Sequence, residues 1–314
     1  MPLDATIVRA LTELGIPLPE PSSDPHEQRR RAIGFEQAIF PHLGLPGDAV
    51  RTSEHLVAVA GYPDVLVRLY YPDATATEHP VCLFFFGGGF SQGGLHHPAV
   101  DAQCARRAAE SGVVVAAVSY ALAPEHPFPA ALEQGSAVLD WLIREAGALG
   151  LDPARVALWG QSAGGNLAAA LALLNRERAQ HHLALQILEV PFLDLTDDPA
   201  ERDLSEAPEA ELAALAMILR WYLPDGTDRR NPLVSPLRAK DFAGLPPAYI
   251  LTAECDPIRR DGADYAAALA DAGVPVSAIQ LLGLPHGGAL FERVSLTART
   301  AGAVVVAALR TLHG

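Results

Sequence analysis

Cysteine, basic charge and long apolar runs are all scarce in this chain of 314 residues. The three cysteines, Cys82, Cys104 and Cys255, cannot all pair with one another, and none stands at metal-ligand spacing. A disulfide framework and a zinc module are therefore excluded, and reduced structural thiols are expected. Cys255 adjoins Asp256 and is expected near chemistry, but as a packing residue. Lys and Arg number 23 against 37 Asp and Glu, a formal net charge of -14. That balance argues against nucleic acid and anionic membrane as partners. A basic run at Arg29-Arg30-Arg31 reads as a solvated helix face. The apolar stretches near Leu167 and Ala303 are too short to span a bilayer. Met1 to Glu20 carries Pro17 and Pro19 in place of the basic start and apolar core of a signal peptide. The expectation is a cytoplasmic protein without metal or other cofactor. Neither an internal repeat nor a low-complexity linker divides it.

Half of the residues are hydrophobic and 19% are charged, which is enough apolar material for a large core. Residues 1–50 read as a helical arm, with Ile7, Leu11 and Leu14 at helical spacing and a second amphipathic piece at Arg31–Phe40. Beyond it the period changes. Strands are predicted at 54–60, 64–71, 81–86, 113–118, 155–159, 183–189, 248–252 and 276–281, the first two joined by a turn at Gly61-Tyr62-Pro63. Helices are predicted at 100–110, from about 130 to 146, from 167 to 174, at 259–272 and at 289–312. Alternating strands and helices predict an α/β fold, a mainly parallel sheet with helices on both faces and an antiparallel edge. Residues 51–314 form its body. Residues 199–228 break the alternation with an acidic stretch and an unusually apolar helix carrying Met217, Ile218, Trp221 and Tyr222. A helix this apolar buries more than one face. It is read as an insertion that, with the arm, caps the C-terminal edge of the sheet, the alternative being a helix that fills a core gap.

The chemistry centres on Gly160-Gln161-Ser162-Ala163-Gly164, set between an apolar strand and an Ala/Leu-rich helix. That is the context of a nucleophile elbow, in which a strained turn lifts the serine hydroxyl above the sheet. The following helix aims its N-terminal N–H groups at the serine. Phe86-Gly87-Gly88-Gly89-Phe90 follows a buried strand, where backbone free of Cβ atoms can gather N–H groups around one point. Gly88 and Gly89, joined by Ala163, are the candidate oxyanion donors. Asp256 and His286 each follow a predicted strand on the same sheet edge, in the order serine, acid, histidine. Glu254 and Asp261 flank Asp256 as alternative acids.

These stretches resemble the hormone-sensitive-lipase-like family of α/β-hydrolase carboxylesterases. The resemblance also takes in Tyr120-Ala121-Leu122-Ala123-Pro124-Glu125-His126-Pro127-Phe128-Pro129-Ala130, Ser235-Pro236-Leu237, Leu245-Pro246-Pro247 and Asp256-Pro257-Ile258-Arg259. It implies Ser162 as nucleophile, Asp256 and His286 as its partners, and hydrolysis of a carboxylic ester without a cofactor. A receptor-like member and a non-hydrolytic lyase or acyltransferase are the other uses of such a scaffold. This sequence departs from the family at Phe86, where a histidine is usual, at Gln161, where an acid is usual, and at Gly288, where phenylalanine is usual. An apolar pocket lined by Phe90, Met217, Ile218, Trp221 and Tyr222 would suit short or medium acyl chains or aryl esters. The expected partner is that small ester, with a homodimer left open.

Overall fold

The apolar run at 81–86 lies in a strand whose seven residues, His79–Phe85, are all buried. A strand buried on both faces needs helices above and below it, and the neighbouring segments supply them. The computed structural model describes residues 2–72, 78–196 and 209–314. Among them the strands are β1 (Arg51–Val57), β2 (Val65–Tyr71), β3 (His79–Phe85), β4 (Val114–Ser119), β5 (Leu151–Gln161), β6 (Leu185–Glu189), β7 (Ala248–Cys255) and β8 (Val276–Pro285). They form one eight-stranded sheet in the order β1-β2-β4-β3-β5-β6-β7-β8. The β1–β2 and β2–β4 pairs are antiparallel and the rest are parallel. This is the α/β-hydrolase fold.

The helices are α1 (Ala5–Leu14), α2 (Pro25–Leu43), α3 (Pro98–Ser111), α4 (Ala130–Arg144), α5 (Ala146–Leu149), α6 (Ala163–Arg178), α7 (Glu209–Tyr222), α8 (Arg259–Asp271) and α9 (Leu296–Arg310). Helix α3 packs on α9 and α4 on α6, so the two pairs flank the sheet. Residues 163–175 of α6 are buried without exception, which explains their Ala and Leu content: small side chains let the helix lie close on β5 and β6. No helix among the described residues is long and apolar enough to cross a membrane.

Several helix boundaries differ from the sequence expectation. Helix α2 starts six residues before Arg31, because Asp24 caps it through His26 and Glu27 N–H groups and Pro25 suits its first position. Its polar opening turns carry no amphipathic period. Helix α6 starts at Ala163 rather than Leu167, since Gly164 and Gly165 are helical here for reasons of space. The expected helix at 289–312 is broken into a 3-10 turn at Gly288–Phe291 and α9. Ser295 caps α9 through Ala298 N–H, and Glu292 in the break turns inward to meet Arg106 and Arg107. Of the segment at 199–228, residues 199–208 lie outside the described residues.

Candidate active site

Strand β5 ends at Gln161 and α6 begins at Ala163, so Ser162 alone makes the turn. Its φ of 53° and ψ of −116° are costly for an L-residue. The turn is over-determined by its surroundings. Ser162 N–H donates to Glu189 O at 2.9 Å, and Ser162 O accepts from Asn166 and Phe192 N–H at 3.1 and 3.2 Å. A Cβ on Gly160 would collide with the Gly164 carbonyl, and one on Gly164 with the Phe85 carbonyl. The glycines are thus required by the approach of strand, turn and helix.

Facing the serine is His286, just past the end of β8. Its Nε2 lies 2.8 Å from Ser162 Oγ, and its Nδ1 lies 2.7 Å from Asp256 Oδ2. The Asp256 side chain is fully buried, and its other oxygen accepts Ile258 N–H at 2.9 Å. The two alternative acids are engaged elsewhere. Asp261 accepts Leu193 and Asp194 N–H at 2.8 and 2.9 Å, and Glu254 accepts Gly283 N–H at 2.8 Å.

Residues 87–90 pass beside this group, and a Cβ on Gly87 would lie 3.5 Å from Ser162 Cβ. Gly88, Gly89 and Phe90 all have positive φ (132°, 58° and 57°). Gly88 O accepts the N–H groups of Ser91 and Gln92 at 3.2 and 3.0 Å. The N–H of Gly89 belongs to the same planar trans peptide and must point the opposite way. Ala163 N–H opens α6 and is one of the donors a helix start leaves unpaired within the helix.

Helix α7 rests on this loop. A Cβ on Gly89 would lie 2.6 Å from Ile218 Cδ1, and the rings of Phe90 and Tyr222 stack at 3.7 Å and 5°. Burial pushes the Tyr222 phenol above its ordinary value. Of the predicted substrate residues, Phe90, Ile218 and Tyr222 come together here, and Met217 and Trp221 are half-buried on the same helix.

The three departures from the family pattern have local explanations. Phe86 is buried, stacks on Tyr120 at 4.2 Å and fills the space beside Gly93. Its carbonyl accepts the Tyr120 hydroxyl at 2.8 Å, so the loop is anchored without an imidazole. Gln161 Nε2 donates to Gln103 Oε1 at 2.8 Å and to Glu189 Oε1 at 3.0 Å, and Trp159 Nε1 donates to the same Glu189 oxygen at 2.6 Å. A carboxyl group does lie beside the elbow, but on the neighbouring strand. Burial pushes the Glu189 carboxyl up, against the hydrogen bonds from Gln161 and Trp159. A side chain at Gly288 would collide with Leu284, which occupies that volume.

Glu189, Gln103, Tyr120 and Arg29 were not foreseen as parts of this site. An acid closing an apolar strand was the available signal for Glu189. Arg29 was hidden inside a basic run, and the structure corrects that reading: Arg30 and Arg31 pair within their own helix, but Arg29 reaches the glycine loop. Among the described residues no group of three or more His, Cys, Asp or Glu side chains could hold a metal ion.

The family model described as alpha/beta hydrolase fold matches residues 82–290. The chain is 38% identical over 294 residues to carboxylesterase NlhH of Mycobacterium tuberculosis, covering 91% of this chain and 88% of that one. It is 33% identical over 286 residues to ethyl acetate hydrolase of Pseudomonas putida, covering 89% and 88%. Among solved structures, the hyperthermophilic esterase of Pyrobaculum calidifontis superposes with a TM-score of 0.89 at 31% identity, covering 100% of this chain and 99% of that one. With two thirds of its length inside the family match and its whole length inside a solved esterase fold, the chain belongs to the hormone-sensitive-lipase-like family of α/β-hydrolase carboxylesterases.

Proposed function

We propose that this carboxylesterase works by two-step acyl transfer on Ser162, with His286 as base and Asp256 as its orienting acid. The observation that carries the reading is the unbroken pair of contacts from Ser162 Oγ through His286 to Asp256, at 2.8 and 2.7 Å. His286 Nε2 takes the hydroxyl proton as Oγ attacks the ester carbonyl. Buried Asp256 holds Nδ1–H, fixes the tautomer and stabilises the imidazolium. The N–H groups of Gly88, Gly89 and Ala163 face the oxyanion. His286 then returns the proton to the leaving alcohol, and water repeats the sequence on the acyl-enzyme.

Helix α7 and the N-terminal arm form a cap over this centre. The Ile218 contact and the Phe90–Tyr222 stack support an apolar acyl site of limited length. Short to medium acyl chains and aryl esters fit that description, in keeping with a relative named for ethyl acetate.

Turnover of p-nitrophenyl acetate and labelling by a fluorophosphonate test the assignment. Ser162→Ala should abolish both, and His286→Ala should lower kcat by about 10⁴-fold, because triad members act as a unit. Asp256→Asn should lower it severely by favouring the wrong tautomer. In the wild type, turnover should fall in acid as the imidazole becomes protonated and can no longer accept. Substantial turnover in Ser162→Ala would refute the reading.

A further inference from the structure

The segment 120–130 belongs to the family pattern but supplies none of the triad, and it meets an arginine from the arm. Arg29 Nε donates to Ser91 O at 2.7 Å. Its Nη2 donates to Ala123 O at 2.7 Å and to Glu125 Oε2 at 2.6 Å, and its Nη1 donates to Glu125 Oε1 at 2.9 Å. One rigid planar fork therefore joins three separate stretches of chain: helix α2, the glycine loop and the 120–130 segment. Glu125 is held below the usual carboxylate range chiefly by its hydrogen bond from Arg29. The loop is tied to the same segment twice more, by Ala123 N–H to Phe90 O at 2.9 Å and by the Tyr120 hydroxyl to Phe86 O.

The Ser91 contact has a directional consequence. The carbonyl of Ser91 and the N–H of Gln92 are the two ends of one planar trans peptide and point opposite ways. Arg29 takes hold of the carbonyl end. The N–H end donates to Gly88 O at 3.0 Å, and Gly88 O is one end of the peptide whose other end is Gly89 N–H. A cation, two peptide units and a candidate oxyanion donor thus lie in a single head-to-tail series. Hydrogen bonds in such a series polarise one another, and a charged donor at its head strengthens each member. We propose that Arg29 is a positioning residue for the oxyanion hole, orienting and polarising Gly89 N–H through the Ser91–Gln92 and Gly88–Gly89 peptides. The inference rests on the assignment of Ser162 and the glycine loop made above. Through it the N-terminal arm contributes to catalysis itself as well as to covering the site.

The test compares Arg29→Ala and Arg29→Lys with Arg30→Ala, whose side chain pairs with Glu27 on the same helix. Each is assayed for kcat and KM on p-nitrophenyl acetate, for inhibition by a trifluoromethyl ketone that mimics the oxyanion adduct, and for its melting temperature. Direct removal of one oxyanion donor costs about 10²–10³-fold in kcat. Loss of its support should cost less, about 10–100-fold in Arg29→Ala, with KM changed by less than about threefold. Ketone affinity should fall by a similar factor, because only interactions that strengthen in the transition state lower kcat alone. Guanidinium ion added to Arg29→Ala should restore part of the loss, and Arg30→Ala should match the wild type. If Arg29→Ala does not fold, the same comparison is made with Arg29→Lys, which keeps the charge but cannot form the fork. Unchanged kcat and ketone affinity in the folded variant would overturn the inference. A kcat loss that vanishes once rates are divided by titrated active sites would do so as well. Wild-type turnover that is lost in Ser162→Ala secures the underlying assignment independently, so the two can fail separately.

Discussion

Glu189 sits at the meeting point of the strained elbow and the core. It accepts from Trp159 and Gln161 through one carboxylate oxygen, and its own backbone carbonyl holds Ser162 N–H. Arg107 favours its charged form and Glu292 opposes it, but burial dominates and raises its pKa. A carboxyl group whose pKa is raised on folding binds more protons in the folded than in the unfolded chain. Stability then falls as pH climbs from the ordinary carboxylate value toward the raised one. Glu189→Gln keeps the acceptor oxygen without the titration. Urea unfolding from about pH 5 to about pH 8 should show the variant gaining on the wild type as pH rises. A difference between wild type and variant that stays flat over this range would mean that Arg107 keeps Glu189 ionised.

On the proposed mechanism, helix α7 is the element through which the acyl site can be altered without touching the triad. Ile218 and Trp221 are both half-buried against the core, and Ile218 in addition lies directly on Gly89. Ile218→Ala should therefore open space where the acyl chain meets the loop and move preference toward longer chains. Each methylene accommodated is worth about 1–3 kcal/mol of discrimination. Trp221→Ala should shift the profile less. The check is kcat/KM over p-nitrophenyl esters from acetate to octanoate, and an unchanged profile in both variants would place α7 away from the acyl group. The same helix shows why its role was only partly legible. Its apolar composition announced burial, but which of Met217, Ile218, Trp221 and Tyr222 would face the loop depended on the angle at which α7 docks.

Across the whole molecule, Glu292 links distant parts of the chain. It precedes α9, pairs with both Arg106 and Arg107 of α3, and all three side chains are buried. Gly302 on α9 leaves the room they need, since a Cβ there would collide with Glu292 and Arg107. Removing one partner strands the other charges in the interior. Glu292→Ala should cost about 3–5 kcal/mol in urea unfolding, far more than a surface pair. A loss below about 1 kcal/mol would mean that water reaches the two guanidinium groups in the variant.

Period and punctuation in the sequence were enough for the sheet, because strands buried on both faces read as continuous apolar runs and the elbow glycines stand at fixed offsets from Ser162. The antiparallel edge and the triad's candidates followed from the same local signals, but the crossover that seats β4 between β2 and β3 did not. The sequence favours Asp256 over Glu254 and Asp261 through its proline neighbour, but only the tertiary structure shows which backbone N–H groups or imidazole each acid meets across the sheet edge. The tertiary structure also decided that Arg29 leaves a solvated run to reach Ser91, 62 residues away, and that Glu292 interrupts an apolar helix to pair with two buried arginines. Local sequence reports what a residue prefers, but a long charged side chain is placed by whatever unpaired carbonyl or charge the fold leaves within its reach.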